Sequence, residues 1–273
     1  MNLHALRSAL RYAWRAETIY DVHAPLAFGF VGEVVEDRRH FYLHDEVESL
    51  RARYAASDET VGSGEDGTGT GPRRRVRTLA RGEVSARTGR YLTSLVDWRG
   101  ARRIVHVGCG LGVGSCCLAG GMPAGGRLVA LETDGELGAF AKTALARTVP
   151  YAEAEVLAGG VSAELEGVLE RSGGIDVAVL EGRLGERETR AVCEQLVGAC
   201  HKGSAMVLSG IHGDEERAAA WAWLKARPGV RASFDVYALG VVLFAPSSGE
   251  AKHYEIMPWR WKPWHMGFFG VRG

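Results

Sequence analysis

Four glycines at alternate positions, Gly108, Gly110, Gly112 and Gly114, directly follow the segment 104–107, in which three of four residues are β-branched. This segment predicts a buried strand, and the glycines predict a tight turn from that strand into a helix. Glycine lets a backbone approach a ligand closely, and the start of the following helix offers N–H groups. Residue types and spacing at this turn are therefore suited to binding a ligand through the backbone.

The spacing of these glycines separates two kinds of ligand. Dinucleotides are bound by the pattern G-x-G-x-x-G. Counted from Gly108 the third glycine position falls on Val113, and counted from Gly110 it falls on Ser115, so both frames fail. The tighter G-x-G-x-G of residues 108–112 is typical of sites for S-adenosylmethionine, a cofactor without a pyrophosphate. A strand-to-helix turn without any ligand is the alternative.

Two later segments supply residues that could complete such a site. The predicted strand in RLVALETD ends at Glu132, about twenty residues beyond the turn, where a carboxylate can accept hydrogen bonds from ribose hydroxyls. The alternative makes Glu132 a neighbour of a helix start, for which Asp134 is the better N-cap candidate. Further on, Gly160, Val161 and Ser162 would form one wall of an adenine slot or, equally well, a plain turn into a helix.

The elements that must position these residues alternate along the chain. Strands are predicted at 104–107, 128–131, 155–157, 176–180 and 205–208, with helices at 113–120, 135–148, 162–172, 185–201 and 214–227. Such alternation predicts a parallel sheet covered by helices on both faces. Two more strand-like runs within 231–246 are joined by a gap too short for a helix, which requires an antiparallel hairpin.

The predicted fold class is therefore α/β, with a doubly wound, mostly parallel, seven-stranded sheet that ends in an antiparallel hairpin. Four regions are predicted: an N-terminal helical extension at 1–57, a flexible Gly-rich linker at 58–75, a cofactor-binding domain at 76–252 and an aromatic tail at 253–273. In the extension, the helical spacing of four apolar residues predicts one buried face, made by Leu3, Leu6, Leu10 and Trp14.

The aromatic tail alternates three tryptophans, Trp259, Trp261 and Trp264, with basic residues. Interleaved aromatic and basic side chains can stack on single-stranded nucleic acid. Because the chain carries no net charge, we expect the tail instead to pack against the N-terminal helices or a dimer partner.

Composition limits the function classes. Lys plus Arg and Asp plus Glu both total 33, so no overall charge attracts nucleic acid or a membrane surface. The first twenty residues lack the apolar core of a signal peptide, and no segment offers the roughly 20 apolar residues of a membrane span. The five cysteines form no C-x-x-C pair and are odd in number. These features predict a cytoplasmic protein without a nucleic-acid or membrane partner. A possible homodimer is predicted from the aromatic tail, which could pack across a partner subunit.

The stretch SARTGRYLTSLVDWRGARRIVHVGCGLGVGSCCLA at 85–119 resembles the class I S-adenosylmethionine-dependent methyltransferases, and within them the catechol O-methyltransferase type. The resemblance extends over about residues 84–246, and the segment DVHAPLAFGFVGEVVEDRRHFYLHDEVESLR is similar to the leader of a bacterial subgroup. It implies S-adenosylmethionine as cofactor, with Gly108, Cys109, Gly110 and Gly112 around its methionine part. It also implies Glu132 at the ribose and Gly160, Val161 and Ser162 beside the adenine.

The sequence departs from this family at two places. His106 stands two residues before the first glycine, where the family often has an acidic residue. Catechol-type enzymes hold a magnesium ion with an aspartate at the end of strand four and an Asp-Asp or Asp-Asn pair at the end of strand five. Here those positions hold Glu181 and the pair Ser209 and Gly210, a poor ligand set for a cation that needs several oxygens. We therefore predict no metal site.

Two residues near the predicted strand ends are candidates for acid–base chemistry. Glu181 would flank the glycine turn on the side opposite Glu132, and it would orient the cofactor's amino group or act as a base; the alternative is a solvated loop carboxylate. His212 follows the fifth strand and is the usual type of base at neutral pH. Its alternative role is that of a residue at a helix start.

The sequence thus predicts a metal-independent S-adenosylmethionine-dependent methyltransferase that acts on an oxygen or nitrogen of a small molecule or a protein side chain. One alternative is a catalytically silent module that binds S-adenosylmethionine or its demethylated product. The other is a nicotinamide-dependent oxidoreductase, which the failed glycine frames disfavour.

Overall fold

The structure, a computed structural model, describes residues 3–62, 73–182, 184–245 and 250–262, without the side chains of residues 3–8 and 186. The described α-helices are α1 (Leu3–Arg15), α2 (Pro25–Phe30), α3 (Tyr42–Ala56), α4 (Val76–Leu79), α5 (Ala86–Arg99), α6 (Val113–Gly120), α7 (Gly135–Thr148), α8 (Val161–Ser172), α9 (Glu186–Ala199) and α10 (Glu215–Lys225). A π-helix (Val31–Val35) and two 3-10 helices (Ala80–Gly82 and Trp259–Trp261) are also described. The described strands are β1 (Thr60–Gly62), β2 (Arg73–Arg75), β3 (Arg103–Val107), β4 (Arg127–Glu132), β5 (Glu153–Ala158), β6 (Ile175–Leu180), β7 (Cys200–Ser209), β8 (Val230–Asp235), β9 (Leu239–Phe244) and β10 (Lys252–Glu255).

The chain divides into two units. Residues 39–201 form the central unit, and residues up to 38 together with those from 202 onward form the terminal unit. In the central unit four strands pair in parallel in the order β6-β3-β4-β5. Strands β3, β4 and β6 are rich in Val, Ile, Leu and Ala and are almost wholly buried, as expected for parallel strands covered on both faces.

The order of these strands fixes where the helices lie. The chain crosses the sheet in one direction from β3 to β4 to β5, and it then returns past β4 and β3 to β6. Because such crossovers are right-handed, α6 and α7 lie on one face of the sheet and α8 lies on the other. Helix α6 packs against α5 and α7, and α8 packs against α9. The predicted α/β class with a doubly wound parallel sheet is confirmed.

The terminal unit contains the predicted hairpin. Strands β8 and β9 are antiparallel, and β9 also pairs antiparallel with the 205–209 part of β7. Strand β10 pairs in parallel with β8 and adds one strand to the seven that the sequence predicts. The aromatic residues Phe30, Phe234 and Tyr254 stack in succession, with ring centroids 4.1 and 5.4 Å apart.

The buried face of α1 differs from the prediction. Leu10 and Trp14 are 63% and 85% exposed, whereas Tyr12 and Ala16 are buried. The Tyr12 hydroxyl donates to the carbonyl oxygen of Ile256, and its ring packs beside Tyr237. The predicted face was wrong for Leu10 and Trp14 because contacts with the distant C-terminal segment, which periodicity does not reveal, decide which side of the helix is buried.

The first part of the predicted aromatic tail joins the N-terminal segment. The Lys262 ammonium donates to the carbonyl oxygens of Trp14 (2.8 Å) and Ala16 (2.6 Å), and the backbone N–H of Trp259 donates to Glu36. The described tail therefore packs on the N-terminal residues, as expected, while residues 263–273 lie outside the described part of the chain.

The two ends of the predicted linker are paired. Strands β1 and β2 form an antiparallel ribbon with Thr60 opposite Arg75 and Gly62 opposite Arg73. The linker residues between them, 63–72, lie outside the described part of the chain. No described helix is both long enough and apolar enough to cross a membrane.

Candidate functional site

The glycine turn lies between the carboxyl end of β3 and the start of α6. Gly108 has a φ of 77°, and a Cβ atom there would lie 2.2 Å from the backbone of Gly182. Gly112 has a φ of 90°, and a Cβ atom there would lie 2.7 Å from Cα of Ala141. Only glycine fits both the torsion angles and the space at these positions. Cys109 is buried between them, and burial raises the pKa of its thiol well above the usual value, so we expect it to pack rather than react.

Glu132 joins this turn to the end of β4. Its Oε2 accepts a hydrogen bond from the backbone N–H of Gly110 at 2.7 Å, and its Oε1 accepts from the N–H of Thr133 at 3.0 Å. Oε1 also accepts from the Thr133 hydroxyl at 3.2 Å and from the N–H of Asp134 at 3.4 Å. Since each carboxylate oxygen has about two lone-pair sites, Oε2 keeps capacity to accept from a hydroxyl of a ligand. Asp134 accepts from the N–H groups of Glu136 and Leu137, which confirms it as the N-cap of α7.

The third predicted segment lies beside Glu132. The N–H of Gly159 donates to the backbone oxygen of Glu132 at 3.0 Å, and Gly160 is the residue that precedes α8. Val161 is buried and Ser162 is partly exposed. The structure thus brings the turn, Glu132 and the 160–162 loop together at the carboxyl ends of β3, β4 and β5.

Glu83 is a member of this site that sequence reasoning missed. It precedes α5, and its carboxylate accepts hydrogen bonds from the N–H groups of Leu111 (2.8 Å) and Val113 (3.2 Å). Burial, together with the nearby carboxylate of Glu181, raises the pKa of Glu83 to about 8. No motif surrounds Glu83, and its distance from the turn in the sequence hides the contact.

His106 and Glu181 form a buried pair behind the turn. His106 is fully buried in β3; its Nδ1 lies 2.8 Å from Ser115 Oγ and its Nε2 lies 3.0 Å from Glu181 Oε2. Strand β3 lies between β4 and β6, so Glu132 and Glu181 flank the turn as predicted. A carboxylate therefore stands beside the position where the family often has its acidic residue, but it comes from the end of β6.

The other predicted catalytic residue, His212, belongs to the terminal unit. Its Nε2 lies 2.7 Å from Oδ2 of Asp235, and its ring stacks on Tyr237 with centroids 5.0 Å apart. The N–H of Tyr237, a residue with a positive φ of 68°, donates to Oδ1 of Asp235 at 2.8 Å. Since a carboxylate only accepts, His212 donates from Nε2, which places its basic lone pair on Nδ1.

The described residues include no group of three or more His, Cys, Asp or Glu side chains arranged to hold a metal ion. Ser209 is the last residue of β7, and Gly210 follows it with a φ of 70°.

A known protein family matches a segment inside the central unit. Residues 73–181 match the model of the O-methyltransferase family. The predicted resemblance to methyltransferases is thereby confirmed for this segment. The matched residues include Glu83, the glycine turn, Glu132 and the 160–162 loop, and they end at Glu181.

Solved structures share the fold. An O-methyltransferase from Bacillus cereus in complex with S-adenosylhomocysteine is 17% identical, with a TM-score of 0.56 over 76% of this chain and 92% of that one. The O-methyltransferase TomG from Streptomyces achromogenes, in complex with S-adenosylmethionine, is 18% identical, with a TM-score of 0.56 over 76% and 92%. An S-adenosylhomocysteine-bound methyltransferase from Podospora anserina is 11% identical, with a TM-score of 0.56 over 82% and 98%. A search of curated proteins found no significant match.

Proposed function

We propose that this chain is an S-adenosylmethionine-dependent O-methyltransferase that acts on a small molecule. The observation that carries the proposal is the glycine turn, whose Gly110 N–H is bound by the Glu132 carboxylate at the end of the neighbouring strand, within a segment that matches the O-methyltransferase family. Two structures with this fold hold S-adenosylhomocysteine and S-adenosylmethionine, respectively, which supports the same ligand here.

The residues present fit S-adenosylmethionine. The positive-φ glycines give a backbone surface without side chains, and Oε2 of Glu132 can accept from a ribose hydroxyl while it stays bonded to the turn. Val161 and Ser162 would border the adenine. The cofactor supplies a methyl group on a positively charged sulfur, so the protein contributes alignment and exclusion of water more than charge stabilisation.

We propose that transfer needs no divalent cation. Ser209 and Gly210 offer one hydroxyl where catechol-type enzymes have two side-chain oxygen ligands, and Mg²⁺ prefers six oxygens in octahedral array. Activity is expected to survive an excess of EDTA, and full inhibition that added Mg²⁺ reverses would contradict this.

A hydroxyl acceptor must lose a proton, and we propose His212 as the base that takes it. Asp235 fixes the tautomer in which Nδ1 is basic, and the stacked Tyr237 ring fixes the plane of the imidazole. Glu181, which is bonded to His106 beside the turn, is assigned to the cofactor instead. A cytoplasmic location and a homodimer stay predictions.

Calorimetric titration of the purified protein with S-adenosylhomocysteine and with NAD tests the proposal. Glu132→Ala is expected to weaken S-adenosylhomocysteine binding by about 1–3 kcal/mol, the loss of charge-assisted hydrogen bonds. Glu170→Ala, at an exposed position on α8, is the control and should change nothing. Binding of NAD alone would overturn the proposal, and binding without turnover on any acceptor would indicate a silent module.

A further inference from the structure

A cavity of about 510 Å³ lies between helices α3 and α7 of the central unit. Small-molecule sites typically have volumes of about 300–1,000 Å³. The residues that line this cavity include none that we assign to the cofactor or to proton transfer. The central unit therefore has room for a small molecule outside the proposed cofactor site.

The lining of the cavity is partly apolar and aromatic. Leu50 and Ala144 are buried there. The rings of Tyr54 and Phe140 meet edge to face, with centroids 6.1 Å apart. The Tyr54 hydroxyl donates to the backbone oxygen of Leu111 at 3.0 Å, so the polar end of this side chain is already bonded. The two rings are therefore available to pack against a flat aromatic ligand.

Two arginines line the same cavity, Arg53 on α3 and Arg147 on α7. Both are exposed, and neither forms an ion pair with a carboxylate in the part of the chain that the structure describes. Burial raises the pKa of Tyr54, and both guanidinium groups act in the opposite direction. Their positive charges therefore lie close enough to the Tyr54 hydroxyl to act on it.

Two glutamates line the cavity as well. Glu136 accepts from the N–H of Gly62 at 3.0 Å and pairs with the Arg73 guanidinium at 3.3 Å, so its charge is already matched. Glu59 offsets one of the two lining arginines and leaves the positive charge of the other for a ligand. A guanidinium binds carboxylates and phosphates through two parallel hydrogen bonds.

We propose that this cavity is a second ligand site, which binds a small planar aromatic molecule that carries one anionic group. The aromatic part would pack against Tyr54 and Phe140, and the anionic group would bind the guanidinium groups of Arg53 and Arg147. The inference goes beyond the proposed function, since none of these residues takes part in methyl transfer.

The test uses two fluorescent probes, anilinonaphthalene sulfonate and phenylnaphthylamine, which has the same rings without the sulfonate. In the double variant Arg53→Gln/Arg147→Gln, the Kd of the sulfonate should rise by at least about tenfold, because its ionic partners are lost. The Kd of the neutral amine should change less than about twofold. The matched control is Arg81→Gln/Arg90→Gln, which removes the same charge at exposed positions outside the cavity. Urea unfolding of each variant reports whether the fold is retained.

Two further titrations use the wild type alone. Raising the NaCl concentration from about 0.05 to 0.5 M should weaken binding of the sulfonate by at least about threefold and leave the amine within about twofold, because salt screens exposed charges. Saturating S-adenosylhomocysteine should leave the sulfonate Kd within about twofold. Equal changes for both probes, an unchanged sulfonate Kd in the double variant, or displacement by S-adenosylhomocysteine would overturn the inference. Failure of S-adenosylhomocysteine itself to bind would overturn only the proposed function.

Discussion

The glycine turn of the central unit and the His212 group of the terminal unit are built in different ways. At the turn, the backbone N–H groups of Gly110, Leu111 and Val113 bind the carboxylates of two glutamates, Glu132 and Glu83. His212 is held instead by side chains, namely the Asp235 carboxylate and the Tyr237 ring. A site made from backbone depends on a short local pattern, whereas a site made from side chains depends on how distant segments meet. Substitutions at the glycine turn and substitutions around His212 should therefore differ in their effects on binding, catalysis and stability.

The largest expected effect separates catalysis from binding. His212→Gln should lower kcat by about a thousandfold, because the acceptor hydroxyl loses its base. The Kd for S-adenosylhomocysteine should stay within about twofold, since the proposed cofactor site lies in the central unit. Both quantities can be measured once an acceptor is known, with His23→Gln, an exposed position of the terminal unit, as control. If cofactor affinity falls together with kcat, the proposed division of labour between the two groups is wrong.

The next prediction separates the cost of steric overlap at the glycine turn from the cost of its positive φ angles. Gly108→Ala should lower the free energy of unfolding by about 3 kcal/mol, because the new methyl group meets the backbone of Gly182 as well as an unfavourable φ. Gly100 has a similar positive φ of 56° but open space around it, so Gly100→Ala should cost about 1 kcal/mol. Urea unfolding of both variants measures the difference. Equal losses would show that the turn adapts and that the close approach to Gly182 is not needed.

The sequence predicted the central unit in detail and the terminal unit in outline. Helices α6 and α7 have the predicted bounds, because Gly112 and Asp134 mark their starts locally. Glu83 was missed, since its partners Leu111 and Val113 lie 28 and 30 residues away along the chain. The buried face of α1 was wrong for a similar reason, as contacts between the two ends of the chain decide it.

Asp176 is a hydrogen-bonded residue of the central unit that we expect to stabilise the fold without binding the cofactor. Burial alone would raise the pKa of Asp176, but bonds from the Arg103 guanidinium, His201 and the N–H groups of Arg102 and Arg103 outweigh it and hold that pKa well below its usual range. A carboxyl with a depressed pKa in the folded state stabilises above its unfolded pKa, and this contribution is lost as the pH falls.

The smallest expected effect follows from the depressed pKa of Asp176. Asp176→Asn should lower the free energy of unfolding by about 1.5 kcal/mol at pH 7, a value limited by solvent screening at Arg103, which is 41% exposed. The loss should shrink as the pH falls below about 4, where the carboxyl of the unfolded wild-type chain begins to take up a proton while the folded one is still ionised. Urea unfolding between pH 2 and 7 would show this, with S-adenosylhomocysteine affinity unchanged at pH 7. A loss that stays constant over that range would mean that the carboxylate charge contributes nothing.

The bond from Tyr12 to Ile256 joins residues that are 244 positions apart. A ribosome that adds about 5–20 residues per second makes all of residues 39–201 before it reaches Ile256. The central unit can therefore fold while the chain is still being made. Contacts of Tyr12, Ala16 and the Trp14 carbonyl with their C-terminal partners form on the order of ten seconds or more after these residues are made. During that time the N-terminal helix has an apolar face without its cover, and the speed of translation sets how long chaperones can reach it.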